Sequence, residues 1–234
     1  MTEQEREIVA LIKLIDDPDY EVQETVVARL LHYGSEIVPR LERGWEATAD
    51  EALQKKMEQL IHRVHFNDLK TDVIRWNKAQ EPDLLTGALL IARYSFPQLD
   101  VAAFMAQFEK LRRNVWLEMN NYLTPLEQVN VLNSILYSYY KLQGHEVAAN
   151  EIKHYFINQV LESRQGNTYT IGILYLAVCE ALDVPIFAID LPRQFVFAYI
   201  DTVHSFLNTE EEIQHIPFFL DPMNGMIYTQ NDID

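Results

Sequence analysis

The chain has one cysteine among 234 residues, which excludes an internal disulfide and any cysteine-rich zinc site. Basic residues are scarce. Lys plus Arg number 19 against 35 Asp plus Glu, a formal net charge of −16. Such a surface repels nucleic acid and anionic lipid, and its ordinary consequence is solubility. No apolar run approaches the ~18–20 residues that span a bilayer. The opening MTEQEREIVALIKLI has no basic n-region. These absences predict a soluble, cytoplasmic protein with neither nucleic-acid nor membrane partners. A Walker loop, a dinucleotide fingerprint and a serine elbow are also missing, so no cofactor is expected.

What remains is a folding composition, 48% apolar and 11% aromatic. The first part reads as helix. Ile8, Leu11, Ile12 and Ile15 recur at helical spacing. Asp16-Asp17-Pro18-Asp19 breaks that helix and supplies caps for the next, whose stripe is Val22, Val26, Leu30 and Tyr33 and whose stop is Gly34. This helix, turn, helix, Gly pattern resembles a HEAT-type repeat, and EIVPRLERGWEATADEALQKKMEQLIHRV resembles a second, degenerate pair. Two units are few for a stack. Residues 67–82 are polar, contain Pro82 and predict a connector. His62 and His65 with Asp68 present two imidazoles on one helix face, but no third ligand has a suitable spacing, so no metal is expected.

Asp100 caps VAAFMAQFEKLRRNVWLEMN, and Thr124-Pro125-Leu126-Glu127 is a capping box with proline at the first helical position. The aromatic stripe Tyr137, Tyr140 and Phe156 predicts core. After Gly166 the pattern changes. Residues 168–182 form one more apolar helix, and short Val, Ile, Phe and Tyr runs follow at 185–189, 195–200, 216–220 and 226–228. Residues 204–215 predict an acidic hairpin tip or insertion. The fold class is therefore α+β. Two regions are expected: a HEAT-like helical region, 1–78, and a second domain, 79–234, with a helical lead-in at 79–165 and a central helix and sheet at 166–234. The closing TQNDID ends on a helix cap with no helix after it, the mark of a chain that continues or of a loose tail.

ESRQGNTYTIGILYLAVCEALDVPIFAIDLPRQFVFAYID, followed by FFLDPMNG, resembles the transglutaminase-like superfamily. The segment LLTGALLIARYSFPQLDVAAF resembles the helical lead-in of its bacterial SirB branch, and the similarity covers roughly residues 83–228. It implies a papain-like core, a central helix packed on an antiparallel sheet. In members that are enzymes it also implies a Cys-His-Asp arrangement: a thiolate at a helix N-terminus, a histidine that activates it and an acid that orients the histidine. Counting back from Asp-Val-Pro, the cysteine position falls at Thr168. The histidine position falls at Gln194 in Leu-Pro-Arg-Gln-Phe, and the third at Asp221 in Leu-Asp-Pro-Met-Asn-Gly.

Cys179 does not substitute for the missing nucleophile. It lies about 16 Å further along the helix at ~1.5 Å per residue and reads as an inert core thiol. Thr168 and the alternative nucleophile Thr170 carry hydroxyls that need a positioned base, and a glutamine amide accepts no proton at neutral pH. Thr168 reads as the helix cap. His215 and His204 reach the site only if the chain bends unexpectedly. Asp221 fits a turn-amide acceptor, with a Gln194–Asp221 hydrogen bond preserving the old geometry. The expectation is a non-catalytic module that binds a protein or peptide in the remnant cleft. The competing expectations are an amide or acyl hydrolase or transferase using a Thr hydroxyl, and a helical adaptor whose cleft is filled.

Overall fold

The computed structural model describes residues 2–145, 155–191, 194–200, 216–229 and 232, with the side chains of 190, 191 and 194 excepted. The architecture is α+β, helices first and an antiparallel sheet last. The chain divides into two units, Met1–Gln80 and Glu81–Asp234. No helix among the described residues is long and apolar enough to cross a membrane.

The first unit holds α1 (Glu3–Lys13), α2 (Tyr20–His32), a short 3-10 turn (Gly34–Ile37), α3 (Val38–Ala47) and α4 (Glu51–Asn77). Thr2 and Glu5 close a capping box at the start of α1. The Asp-rich turn works as its composition predicts: the Asp17 carboxylate accepts from Asp19 N, and the Asp19 carboxylate accepts from Glu21 N, each at 2.9 Å. Ile8, Ile15, Val26, Leu30, Leu41, Met57, Leu60 and Val64 form the core of this unit. Each fully buried aliphatic side chain contributes about 1.5–3 kcal/mol of transfer free energy. The expected connector at 67–82 is corrected: α4 continues to Asn77. Residues 67–77 contain neither Pro nor Gly, and Leu69 keeps the buried stripe going, so polarity there marks a solvated helix face rather than a break.

The second unit begins with α5 (Leu84–Ser95), α6 (Val101–Glu118) and α7 (Pro125–Asn133). Asp100 caps α6, accepting from Ala103 N, and Thr124 with Glu127 forms the predicted box at α7. A π-helical segment, Ser134–Tyr139, follows α7 directly, with Tyr140 N donating to Ile135 O. Then come β1 (Gln143–Gly144), α8 (Ile157–Ser163), β2 (Gln165–Gly166), α9 (Thr168–Glu180), β3 (Ile186–Leu191), β4 (Gln194–Tyr199), β5 (Phe219–Leu220) and β6 (Ile227–Tyr228).

The short strands β1 and β2 pair in parallel, and β3 to β6 form an antiparallel sheet in chain order. Helix α9 is apolar on all sides, as a helix buried between layers must be. Phe197, Tyr199, Ile186 and Leu220 join its core, while Val196, Ala198 and Phe219 form a second cluster with Ile216, as strand alternation requires. The helix ends at Glu180, two residues short of expectation. Asp183 is left-handed at φ 54° and Val184 N donates to Cys179 O at 2.9 Å, a Schellman-type stop. The acidic stretch 204–215, with His204 and His215, lies outside the described residues.

Candidate functional site

The head of α9 is built by a reciprocal pair. The Asn167 side chain accepts from Thr170 N at 2.8 Å, and the Thr170 hydroxyl accepts from Asn167 N at 3.0 Å. Asn167 is therefore the cap, and the expectation that Thr168 fills this role is corrected. A planar amide oxygen at 167 reaches the third helical residue, which leaves Thr168 as the first residue of the helix itself. Thr168 is half-buried; Thr170 is buried, with its hydroxyl spent on the cap.

Strand β2 leads into this head, and β1 runs beside it. His145 N donates to Gly166 O at 3.1 Å, and Gly144 N donates to Met223 O at 3.1 Å. The second bond ties the Asp-Pro-Met-Asn-Gly turn to β1, the strand that flanks the residues leading into α9. Within the turn, Asp221 Oδ1 accepts from Met223 N at 2.7 Å, and Asp221 O accepts from Gly225 N at 2.8 Å. Asp221 thus acts as the turn-amide acceptor that its sequence context implies.

Two side chains from the helical layers hold the turn from behind, and a third braces one of them. Tyr137 Oη donates to Pro222 O at 2.7 Å, Asn133 Nδ2 donates to Gly225 O at 2.8 Å, and Tyr175 Oη donates to Asn133 Oδ1 at 3.2 Å. Burial drives the Tyr137 phenol far above its ordinary pKa, and the nearby Asp221 charge adds to the shift. Burial does the same to Tyr175. Both stay neutral donors at any physiological pH. Gly225 sits at φ 72°, where a Cβ would come within 2.6 Å of Asn133 Oδ1 and of Tyr137 Cε2, so glycine is required there. Composition marks Tyr137 only as a core aromatic; the signal for more was a phenol on a buried helix, which must find an acceptor.

A cleft of about 320 Å³ lies against the head of α9. It is lined by Thr168, Phe195, Val196, Asp221, Met223, Tyr228 and Asp232. The structure therefore brings Thr168 and Asp221 into one cavity. Thr170 does not line it, and Cys179 is wholly buried toward the other end of the helix, its thiol pushed far up in pKa by burial. The backbone of Gln194 opens β4 opposite Leu191; its side chain, and with it the expected hydrogen bond to Asp221, falls outside what is described. Asp232, absent from the residues singled out by motif, adds a second carboxylate. The Thr229 hydroxyl and then its amide hold that carboxyl below the usual range. His145 lines a neighbouring cavity of about 530 Å³, which shares Met223 with the cleft. Among the described residues, no group of three or more His, Cys, Asp or Glu side chains is placed to hold a metal ion.

Comparison with known proteins adds a family match. A sequence model described as the transglutaminase-like superfamily matches residues 102–234. The chain is similar to a UPF0162 protein from two strains of Xylella fastidiosa, 28% identical over 130 residues, covering 52% of this chain and 45% of the relative. It is also similar to a UPF0162 protein of Vibrio cholerae serotype O1, 24% identical over 151 residues, covering 64% of this chain and 52% of the relative. The chain thus spans about half the length of the curated relatives it matches. No solved structure matches it significantly.

Proposed function

Because the chain belongs to the transglutaminase-like superfamily, we propose that it is a catalytically degenerate member that binds a protein or peptide segment in the cleft beside Thr168. The observation that carries this reading is what the cleft holds. Thr168 stands where the family resemblance puts the attacking cysteine, and Asp221, the retained third position, directs its carboxylate into its own turn. The histidine position is Gln194, whose amide cannot take up a proton. A hydroxyl without a base does not become a nucleophile.

Open volume of about 320 Å³ beside Thr168 favours binding over an adaptor with a filled cleft. Two carboxylates in the lining, Asp221 and Asp232, favour an occupant with a basic side chain. Within the superfamily we place the chain in the bacterial SirB branch and in the cytoplasm. We take the region up to residue 78 as a HEAT-like surface that supplies a second area of contact, with the transglutaminase-like domain running from 79 onward.

The test combines turnover and binding. A panel of amide and ester substrates should show no hydrolysis or acyl transfer, and Thr168→Ala should change nothing. A lysine-containing peptide should shift the amide resonances of Thr168 and Val196. Turnover that disappears with Thr168→Ala would establish the competing reading, a threonine-dependent acyl hydrolase or transferase.

A further inference from the structure

The tail of α9 borders a second concave surface. A groove of about 600 Å³ runs between the end of this helix and β3, with Leu84, Leu176, Val184 and Ile186 on its apolar side and Glu180 and Asp183 among its lining. It lies far from the cleft: Thr168 and Glu180 are twelve residues apart in one helix, about 18 Å. One wall of the groove is a sheet edge. Among the described residues β3 pairs only with β4.

The ladder's register tells which backbone groups face outward. Ile200 N donates to Pro185 O at 2.9 Å. Hydrogen-bonded pairs alternate in an antiparallel ladder, so Phe187 pairs this way with Ala198 and Ile189 with Val196. Ile186 and Ala188 then turn their backbone groups away from β4. Val184 O already takes the Ile186 N–H at 2.8 Å. The C=O of Ile186 and both backbone groups of Ala188 are left facing outward. Water reaches this strand, since Phe187 is 46% exposed and Ala188 is exposed as well.

We propose that the outer edge of β3 is a strand-addition site for an extended segment of a partner protein carrying a lysine or arginine. The segment pairs with Ile186 and Ala188, lays an apolar side chain into the groove and sets its cation against Glu180 and Asp183. Charge selects this occupant. Among the described residues the groove lining contains two carboxylates and no cation, and the chain carries a net charge of −16. A second copy of the chain would bring the same carboxylates toward each other, which like-charge repulsion opposes. The proposal stands independently of the Thr168 cleft.

The probe is an acetylated, amidated heptapeptide of alternating valine and threonine with a terminal lysine, added to the full chain. Binding should slow hydrogen exchange at the Ala188 amide at least tenfold. Ala188→Pro removes the outward N–H without touching the β3–β4 ladder and should abolish binding at this edge, read as the peptide-induced amide shifts of Ile186 and Ile189. Asp183→Asn keeps a residue that tolerates the left-handed conformation and should weaken binding about threefold, the size of one exposed ion pair. A peptide N-methylated at alternate amides should not bind, which tests the pairing even if Ala188→Pro fails to fold. Thr168→Trp, which fills the other cleft, should leave the protection at the Ala188 amide unchanged. The proposal fails if a glutamate-for-lysine peptide binds equally well, if Ala188 gains no protection, or if sedimentation shows the chain itself dimerising through this edge.

Discussion

The two ends of α9 suppress reactivity by different physical means. At the head, Thr170 has a hydroxyl in a helix N-terminal position, yet two hydrogen bonds with Asn167 consume it. Toward the tail, Cys179 has an intrinsically stronger nucleophile, yet burial keeps it a thiol. Polar over-determination governs one end and desolvation the other. Spacing along the helix sets Cys179 aside from sequence alone, whereas Thr170 stays a candidate until its hydrogen bonds are in view.

That contrast predicts how each end breaks. The largest effect belongs to the turn facing the head. Gly225→Ala puts a Cβ into Asn133 and Tyr137 at a positive φ and should cost about 3 kcal/mol, measured by urea unfolding. Tyr137→Phe leaves the buried Pro222 carbonyl without its donor and should cost about 1–3 kcal/mol. Asn167→Ala removes the cap of α9 and should cost about 1 kcal/mol, with Thr168→Ala an order of magnitude milder. The last prediction concerns pH. The Cys179 thiol ionises in the unfolded chain near its ordinary 9.0 but well above that in the folded state. A raised acid pKa means that its contribution is complete below 9.0 and declines as pH rises past it. Stability should fall by about 1.4 kcal/mol per pH unit from this one group. Native protein at pH 8 should also resist a thiol reagent that labels it at once in urea.

Much of the helical framework is legible from short-range chemistry. Thr124 with Glu127, Asp100 and the Asp16–Asp19 turn all cap the helices that their spacing implies, because a cap is decided within four residues. The strands between Pro185 and Tyr228 follow from β-branched and aromatic runs, although the ladder at 216–220 shrinks to Phe219–Leu220. Extended backbone counts as strand only where a neighbour pairs with it. The site is legible in part. Thr168 and Asp221 are found by motif and share a cleft. The anchors Asn133, Tyr137 and Tyr175 are not found, because their partners lie 92, 85 and 42 residues away. The cap falls on Asn167 rather than on Thr168 beside it, a choice that depends on side-chain reach rather than on composition.

The widened turn at Ser134–Tyr139 has a genetic consequence. A π segment amounts to an α-helix with one codon too many. Removing that codon would relax the coil to its usual pitch, leaving the flanking residues in register and re-aiming only the side chains inside the widened turn. Tyr137 would swing off Pro222 while Asn133, upstream, kept its grip on Gly225. A single in-frame deletion would therefore loosen the wall of the cleft on one side only, without altering any residue that lines it.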